Sequence, residues 1–220
     1  MTYVFDFAEG SREDGDLLGG KGVNLAEMTR LGLPVPPGFT ITTIACREFL
    51  SAGSEPGALR VEVTMALRRL EDAVGRRFGD VKDPLLVSAR SGAKFSMPGM
   101  METVLNVGLN DYSVDGLAEA AGDGRFAWDS YRRLVQMYGK TVLEIDGELF
   151  SHALDEAKRA EGVGNDAELS EAALRDLVDV FKRGCPFDVV RHEHLRPGSR
   201  LPQMRRPEAP THRVGSPYNH

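Results

Sequence analysis

The sequence predicts an α/β (α+β) fold with a mixed lobe at residues 1–110, a mostly helical subdomain at 111–183 and an irregular tail at 184–220. Residues 2–7 alternate and are rich in aromatic and β-branched types, which is typical of a short strand. Residues 84–90 form an apolar run after a turn signal, which predicts a buried strand. From residue 113 onward, apolar residues recur at helical spacing instead.

Further elements of the first lobe follow from turn signals and periodicity. Residues 23–31 are predicted to be helical, with Leu25, Met28 and Leu31 on one face and Gly32 placed to end the helix. A proline-rich turn leads into a strand at 38–43. Residues 57–78 predict an amphipathic helix, and residues 102–107 a further strand.

The helical subdomain and the tail differ sharply in composition. The last predicted helix has Ser170 as its N-cap, and Leu169 is placed to pack against Leu174. Beyond Gly184 the periodicity ends, and the chain becomes rich in proline, arginine and histidine. Because no segment of 184–220 could bury an apolar face, we expect it to be irregular.

Composition and charge exclude several classes of function. The net charge is −6, so no general basic field is available to hold nucleic acid. No apolar run approaches the roughly 20 residues that a membrane helix needs, and the first residues do not resemble a signal peptide. The two cysteines, Cys46 and Cys185, form neither a metal motif nor a disulfide framework. We therefore expect a cytoplasmic protein without nucleic-acid or membrane partners.

A glycine cluster around Lys21 is the first candidate site. Gly19, Gly20 and Gly22 would allow the backbone to approach an anion closely, and the positive end of the following helix would favour it. Lys21 would add a full positive charge suited to a phosphate. The spacing is not that of a P-loop, and a plain glycine turn beside an exposed lysine explains the same residues.

Arg90 is the second candidate, because it follows the predicted buried strand. Ligands commonly bind at such strand ends in α/β folds, and a guanidinium can hold two phosphate oxygens at once. A structural ion pair is the alternative. The third candidate is the loop containing Gly99, Met100 and Met101, which could fold over a ligand, although methionine more often fills a gap in a core.

Taken together and in order, residues 17–28, 32–43, 86–92 and 96–111 resemble the N-terminal region of the pyruvate, phosphate dikinases. The resemblance extends from residue 2 to about 183 and implies an ATP-grasp domain. In that family, ATP and phosphate react at this domain and a phosphoryl group passes to a histidine on a separate domain, then to pyruvate.

The resemblance assigns roles to the candidates and implies a cofactor. Lys21 and Arg90 would contact the ATP phosphates, and Arg90 would also have a catalytic role. The backbone at Gly19, Gly20 and Gly22 would contact the same phosphates. The loop that covers the phosphates would contain Gly99, Met100 and Met101. Mg²⁺ is expected for the full-length family, but its acidic ligands have no counterpart in these residues. His152 stands in a helical stripe and is interpreted as an ordinary helix residue.

The resemblance leaves three hypotheses about this chain. It is an enzyme component working with a separate chain that carries the phosphohistidine and pyruvate domains, a non-catalytic remnant, or a regulatory or assembly module. Lys21→Ala would abolish ATP effects in the first two and spare a purely structural interaction in the third. Because a partial cleft buries few ligand atoms, we expect weak ATP affinity.

Overall fold

The computed structural model describes residues 1–91 and 103–184. The predictions for Gly99, Met100 and Met101, and for the tail beyond Gly184, lie outside these residues. The described chain mixes helices with short strands, which agrees with an α+β fold. The strands form three separate two-stranded sheets.

The first part of the chain folds helices around one antiparallel pair of strands. β1 (Val4–Asp6) pairs with β2 (Phe39–Ile41), and both predicted strands are thereby confirmed. Three helices accompany this pair: α1 (Gly15–Arg30), α2 (Thr43–Ala52) and α3 (Leu59–Val74). A 3-10 turn at Arg12–Asp14 leads directly into α1.

Gly32 ends α1, as predicted. Its φ of 74° lies in the left-handed region, which glycine adopts without steric cost. The amide of Gly32 donates to the carbonyl of Thr29, and the amide of Leu33 donates to that of Met28. These two bonds form a Schellman motif and satisfy carbonyls that the helix leaves free.

The residues predicted to share an apolar face of α1 are not the ones that the helix buries. Leu31 is 63 % exposed and Met28 41 % exposed. The residues that the helix buries are Leu18 and four smaller ones, Gly19, Gly22, Val23 and Ala26. Small residues bring the helix close to β2, so apolar bulk alone does not identify the face that packs.

The predicted buried strand at 84–90 is two strands. β3 (Arg77–Phe78) pairs in parallel with β4 (Pro84–Leu85), and β5 (Val87–Arg90) pairs antiparallel with β6 (Thr103–Val107). Pro84 and Leu85 are buried, whereas residues 88–90 are exposed. Because successive side chains of a strand alternate between its faces, the exposure of these three residues means that neither face of the outer half of β5 is buried within the described chain.

Four helices complete the described chain: α4 (Ser113–Ala121), α5 (Gly124–Thr141), α6 (Gly147–Glu161) and α7 (Glu171–Gly184). They enclose the main apolar core, in which the rings of Phe150 and Phe181 meet edge to face at 4.9 Å. The Ser170 hydroxyl accepts from the amide of Ala173, which confirms the predicted N-cap. Leu169 and Leu174 are both fully buried in the same apolar core, which agrees with the predicted packing of one against the other.

The two parts of the chain are joined at close range. Gly116 of α4 packs against the backbone of Val81 and Lys82, where a side chain at position 116 would overlap the carbonyl of Val81. Val104 and Leu109 belong to the same core as the helices after them. The division of the chain at residue 110 stays a prediction.

Among the described residues, no helix is both long and apolar enough to cross a membrane.

Candidate functional site

The glycine cluster forms a break in α1 and not a loop before it. Gly19 has φ 69° and ψ 168°, so the helical path stops at this residue and restarts immediately after it. Gly20, Lys21 and Gly22 stand in the first turn of the restarted helix. The first amides of a helix have no acceptor within it, and its dipole makes that end positive. The break thus creates the kind of helix end that binds anions.

Gly22 has a packing role that the sequence did not reveal. It is buried, and a Cβ added to it would lie 3.0 Å from Cγ2 of Thr40 and 3.0 Å from Cβ of Leu18. Helix and strand therefore approach closely because this residue has no side chain. Gly19 is also buried, whereas Gly20 is exposed.

Lys21 supplies the positive charge beside the break. Its side chain is half-buried, and it forms no hydrogen bond or ion pair with the other described residues. The hydroxyl of Thr43 donates to the carbonyl of Asp16 at 2.6 Å, which ties the start of α2 to the start of α1. Because no described residue pairs with the ammonium group of Lys21, this group is available to an external anion.

Arg90 ends β5 opposite Thr103 of β6. It is exposed and, within the described ranges, has neither a carboxylate nor a carbonyl partner. The structural ion pair considered from the sequence is therefore absent from residues 1–91 and 103–184. A guanidinium without such a partner retains all of its donors for an anion.

The described structure does not bring Lys21 and Arg90 into one packed unit. α1 packs on the preceding turn, on α2 and on β2, whereas β5 packs on β6. Two open cavities of about 540 and 270 Å³ lie beside β1 and α3, and neither is lined by Lys21 or Arg90. Both cavities are lined by Asp6 and Arg69, which pair with each other at 2.7 Å and leave no free cation for a phosphate there.

The acidic side chains of the described residues do not form a magnesium site. Residues 1–91 and 103–184 contain no group of three or more acidic, histidine or cysteine side chains placed to hold a metal ion. His152 lies on the exposed face of α6 and faces Glu156 at 3.8 Å, as expected for an ordinary helix residue.

A buried polar cluster on α5 escaped the sequence analysis. The side chain of Arg132 is only 4 % exposed, and its guanidinium donates to Asp129 at 2.7 and 2.9 Å and to Gln136 at 2.8 Å. The exposed Arg133 donates to the other oxygen of Asp129 at 2.9 Å. Only the spacing of Asp129, Arg132 and Gln136 along one helix could have indicated this cluster.

A second polar cluster joins the ends of the helical part. The phenol of Tyr131 donates to Asp111 at 2.9 Å, and the ammonium of Lys182 donates to the same oxygen at 2.6 Å. Burial, and then the negative charge of Asp111, raise the pKa of Tyr131. The cluster fixes the end of α7 to the segment before α4.

Comparison with known proteins agrees with the resemblance found in the sequence. Residues 15–67, which include the break in α1, match the family model described as the pyruvate phosphate dikinase AMP/ATP-binding domain.

Similar relatives include the pyruvate, phosphate dikinase of Rhizobium meliloti, with 54 % identity over 193 residues. That of Clostridium symbiosum is 48 % identical over 181 residues, and pyruvate, phosphate dikinase 2 of Zea mays is 49 % identical over 195 residues. The matches cover 82 to 84 % of this chain but only 21 to 22 % of each relative. The chain thus spans about a fifth of the length of these enzymes. Residues 15–67 thus match part of the AMP/ATP-binding domain of the pyruvate, phosphate dikinases, and most of this chain is about half identical in sequence to these enzymes.

Proposed function

We propose that this chain binds the phosphates of ATP, as the nucleotide-binding portion of a phosphotransferase of the pyruvate, phosphate dikinase type. The overall reaction would convert ATP, phosphate and pyruvate to AMP, diphosphate and phosphoenolpyruvate. The observation that carries this proposal is the break at Gly19, which opens a helix end beside Lys21 within the matched domain.

The donor set fits a polyphosphate. The amides that follow Gly19 offer directed hydrogen bonds, and Lys21 offers a mobile charge. Arg90 would add a planar guanidinium able to hold two phosphate oxygens. These groups stabilise charge that shifts during phosphoryl transfer, which is what catalysis of that reaction requires.

The remaining parts of the site belong to the same proposal. Gly99, Met100 and Met101 would cover the phosphates, within an ATP-grasp fold. Mg²⁺ would accompany ATP, with its acidic ligands supplied from outside the described residues. Domains carrying the phosphohistidine and the pyruvate site would act with this chain, which would then work in the cytoplasm.

Calorimetric titration of the 220-residue chain with Mg-ATP tests the proposal. Lys21→Ala and Arg90→Ala are compared with Lys82→Ala, which removes an exposed lysine on a turn away from the break. We expect weak binding that both site variants abolish and Lys82→Ala retains. No heat at millimolar Mg-ATP, from a chain shown to be folded, would overturn the proposal.

A further inference from the structure

A left-handed residue interrupts β6 close to Arg90. Asn106 has φ 60°, a conformation that few residues other than glycine adopt and that asparagine tolerates better than most. Only Asn106 and Glu144 have positive φ among the non-glycine residues of the described chain. Asn106 lies inside a strand, whereas Glu144 lies in the connection between α5 and α6.

Asn106 produces a bulge that changes the strand register. Val87 is opposite Val107, but Ala89 is opposite Val104 and Arg90 opposite Thr103. β6 therefore advances three residues while β5 advances two. The extra residue is accommodated where Leu105 and Asn106 face Ser88, as in β-bulges generally.

A side-chain hydrogen bond holds the bulge against the helical part of the chain. The amide of Asn106 donates from Nδ2 to the carbonyl of Ser130 on α5 at 3.1 Å. Its own carbonyl accepts from the amide of Leu109 at 3.1 Å, which closes the turn that follows β6. The backbone conformation and the side chain of Asn106 thus both hold the bulge in place.

Without the bulge, the register would slip by one residue toward the end of β5. Arg90 would then lie opposite Val104 and not opposite Thr103. Because side chains alternate between the two faces of a strand, Val104 would also turn to the other face. Val104 is 6 % exposed and belongs to the main core, so the native register keeps it buried while Arg90 stays in solvent.

We propose that Asn106 is a positioning residue for Arg90, because its left-handed backbone and its bond to Ser130 set the register in which Arg90 leaves the strand pair. The proposal rests on the proposed function in assigning Arg90 to a phosphate. Asn106 itself would not touch the ligand.

The first variants separate the backbone conformation from the hydrogen bond. Asn106→Val disfavours positive φ and removes the amide donor, whereas Asn106→Gly restores the backbone freedom without the donor. Glu144→Val is the matched control, because it strains the other positive-φ residue far from β5 and β6 along the chain.

Register is read by NMR in the ligand-free, isotope-labelled chain, from cross-strand contacts between Ala89 and Val104 and between Arg90 and Thr103. We expect Asn106→Val to lose these contacts, while Asn106→Gly and Glu144→Val keep them. Should Asn106→Val fail to fold, Asn106→Ala is the smaller substitute, because it also disfavours positive φ and lacks the donor, and it is expected to lose the same contacts. Intact contacts in every folded variant at position 106 would overturn the proposal.

Mg-ATP titration of the same variants supplies the second measurement. Asn106→Val is expected to weaken binding about tenfold or more, the size of one lost charge-assisted hydrogen bond, and Asn106→Gly is expected to recover most of it. Unchanged affinity despite lost register would overturn the link to Arg90. Lost register with no binding by any variant would support the positioning role and instead overturn the proposed function.

Discussion

Gly22 of α1 lies so close to Thr40 of β2 that a Cβ on the glycine would be 3.0 Å from Cγ2 of the threonine. This contact places the restarted helix, and with it Lys21, at a fixed distance from the strand pair. A residue that sequence analysis assigns to ligand binding thus also determines where the site stands.

Gly22→Ala should destabilise the fold, because the added methyl group must push Thr40 or Leu18 away. We expect a loss of about 1–3 kcal/mol in the free energy of unfolding, the usual cost of overpacking. Urea denaturation measures it. Gly15→Ala is the control, since no atom lies within 4 Å of the Cβ it would add. Equal stability of the two variants would show that the close contact is absent.

Gly20→Ala should separate stability from binding. Gly20 is exposed within α1, so alanine is expected to leave the free energy of unfolding unchanged or to raise it by up to about 1 kcal/mol. If a phosphate contacts the backbone at this turn, the methyl group will hinder it, and Mg-ATP affinity will fall. Calorimetry and urea denaturation of one preparation give both values. Unaltered affinity would remove Gly20 from the site.

Asp129→Ala should be far more damaging than Arg133→Ala, although both remove one partner of the same ion-pair cluster. The first leaves the buried guanidinium of Arg132 without its carboxylate, which costs about 3–5 kcal/mol. The second removes an exposed partner, which is worth less than about 1 kcal/mol. Thermal and urea denaturation compare the two, and similar losses would contradict the burial of Arg132.

Alkaline pH should lower the free energy of unfolding because of the buried phenol of Tyr131. Burial raises the pKa of this phenol in the folded chain, so the unfolded chain releases the proton first once the pH passes about 10. Stability is then lost by about 1.4 kcal/mol per pH unit for each such group. Tyr131→Phe removes this contribution, and urea denaturation between pH 9 and 11 should show a shallower decline.

Tyr112→Phe is the control for the alkaline series, because Tyr112 is 72 % exposed. The free energy of unfolding of this variant should decline with pH as steeply as that of the unmodified chain. A Tyr131→Phe variant with an unchanged slope would mean that the phenol ionises equally easily in both states. Tyr138, whose pKa burial also raises, accounts for part of the slope that remains.

Sequence reasoning was most successful where a local signal decides the structure. Gly32, Ser170 and the strands at β1, β2 and β6 follow from turn, cap and alternation patterns, and each is confirmed. Each depends on neighbouring residues alone, so no knowledge of the rest of the fold is needed.

Features that depend on long-range packing were not predictable in the same way. The buried face of α1 is set by the contact between Gly22 and Thr40. The exposure of Ser88 depends on what packs over the faces of β5, which the apolar run at 84–90 does not reveal. The burial of Arg132 likewise depends on the surrounding fold. A periodic pattern records that a helix is amphipathic, but not which neighbours it meets.

The candidate site likewise contains residues that the sequence predicts and backbone features that it does not. Lys21 and Arg90 were singled out by residue type and order along the chain, and the structure leaves both without partners among the described residues. The break at Gly19 and the bulge at Asn106 were not foreseen, because positive φ at a single residue has no periodic signature.

The most direct test of ATP binding is an amide NMR titration of the labelled chain with Mg-ATP, repeated with Mg-triphosphate. We expect both ligands to shift the amide signals of Gly20, Lys21 and Gly22, together with the guanidinium signal of Arg90, because these groups contact the phosphates. Shifts confined to other parts of the chain, or none at millimolar ligand, would contradict this expectation.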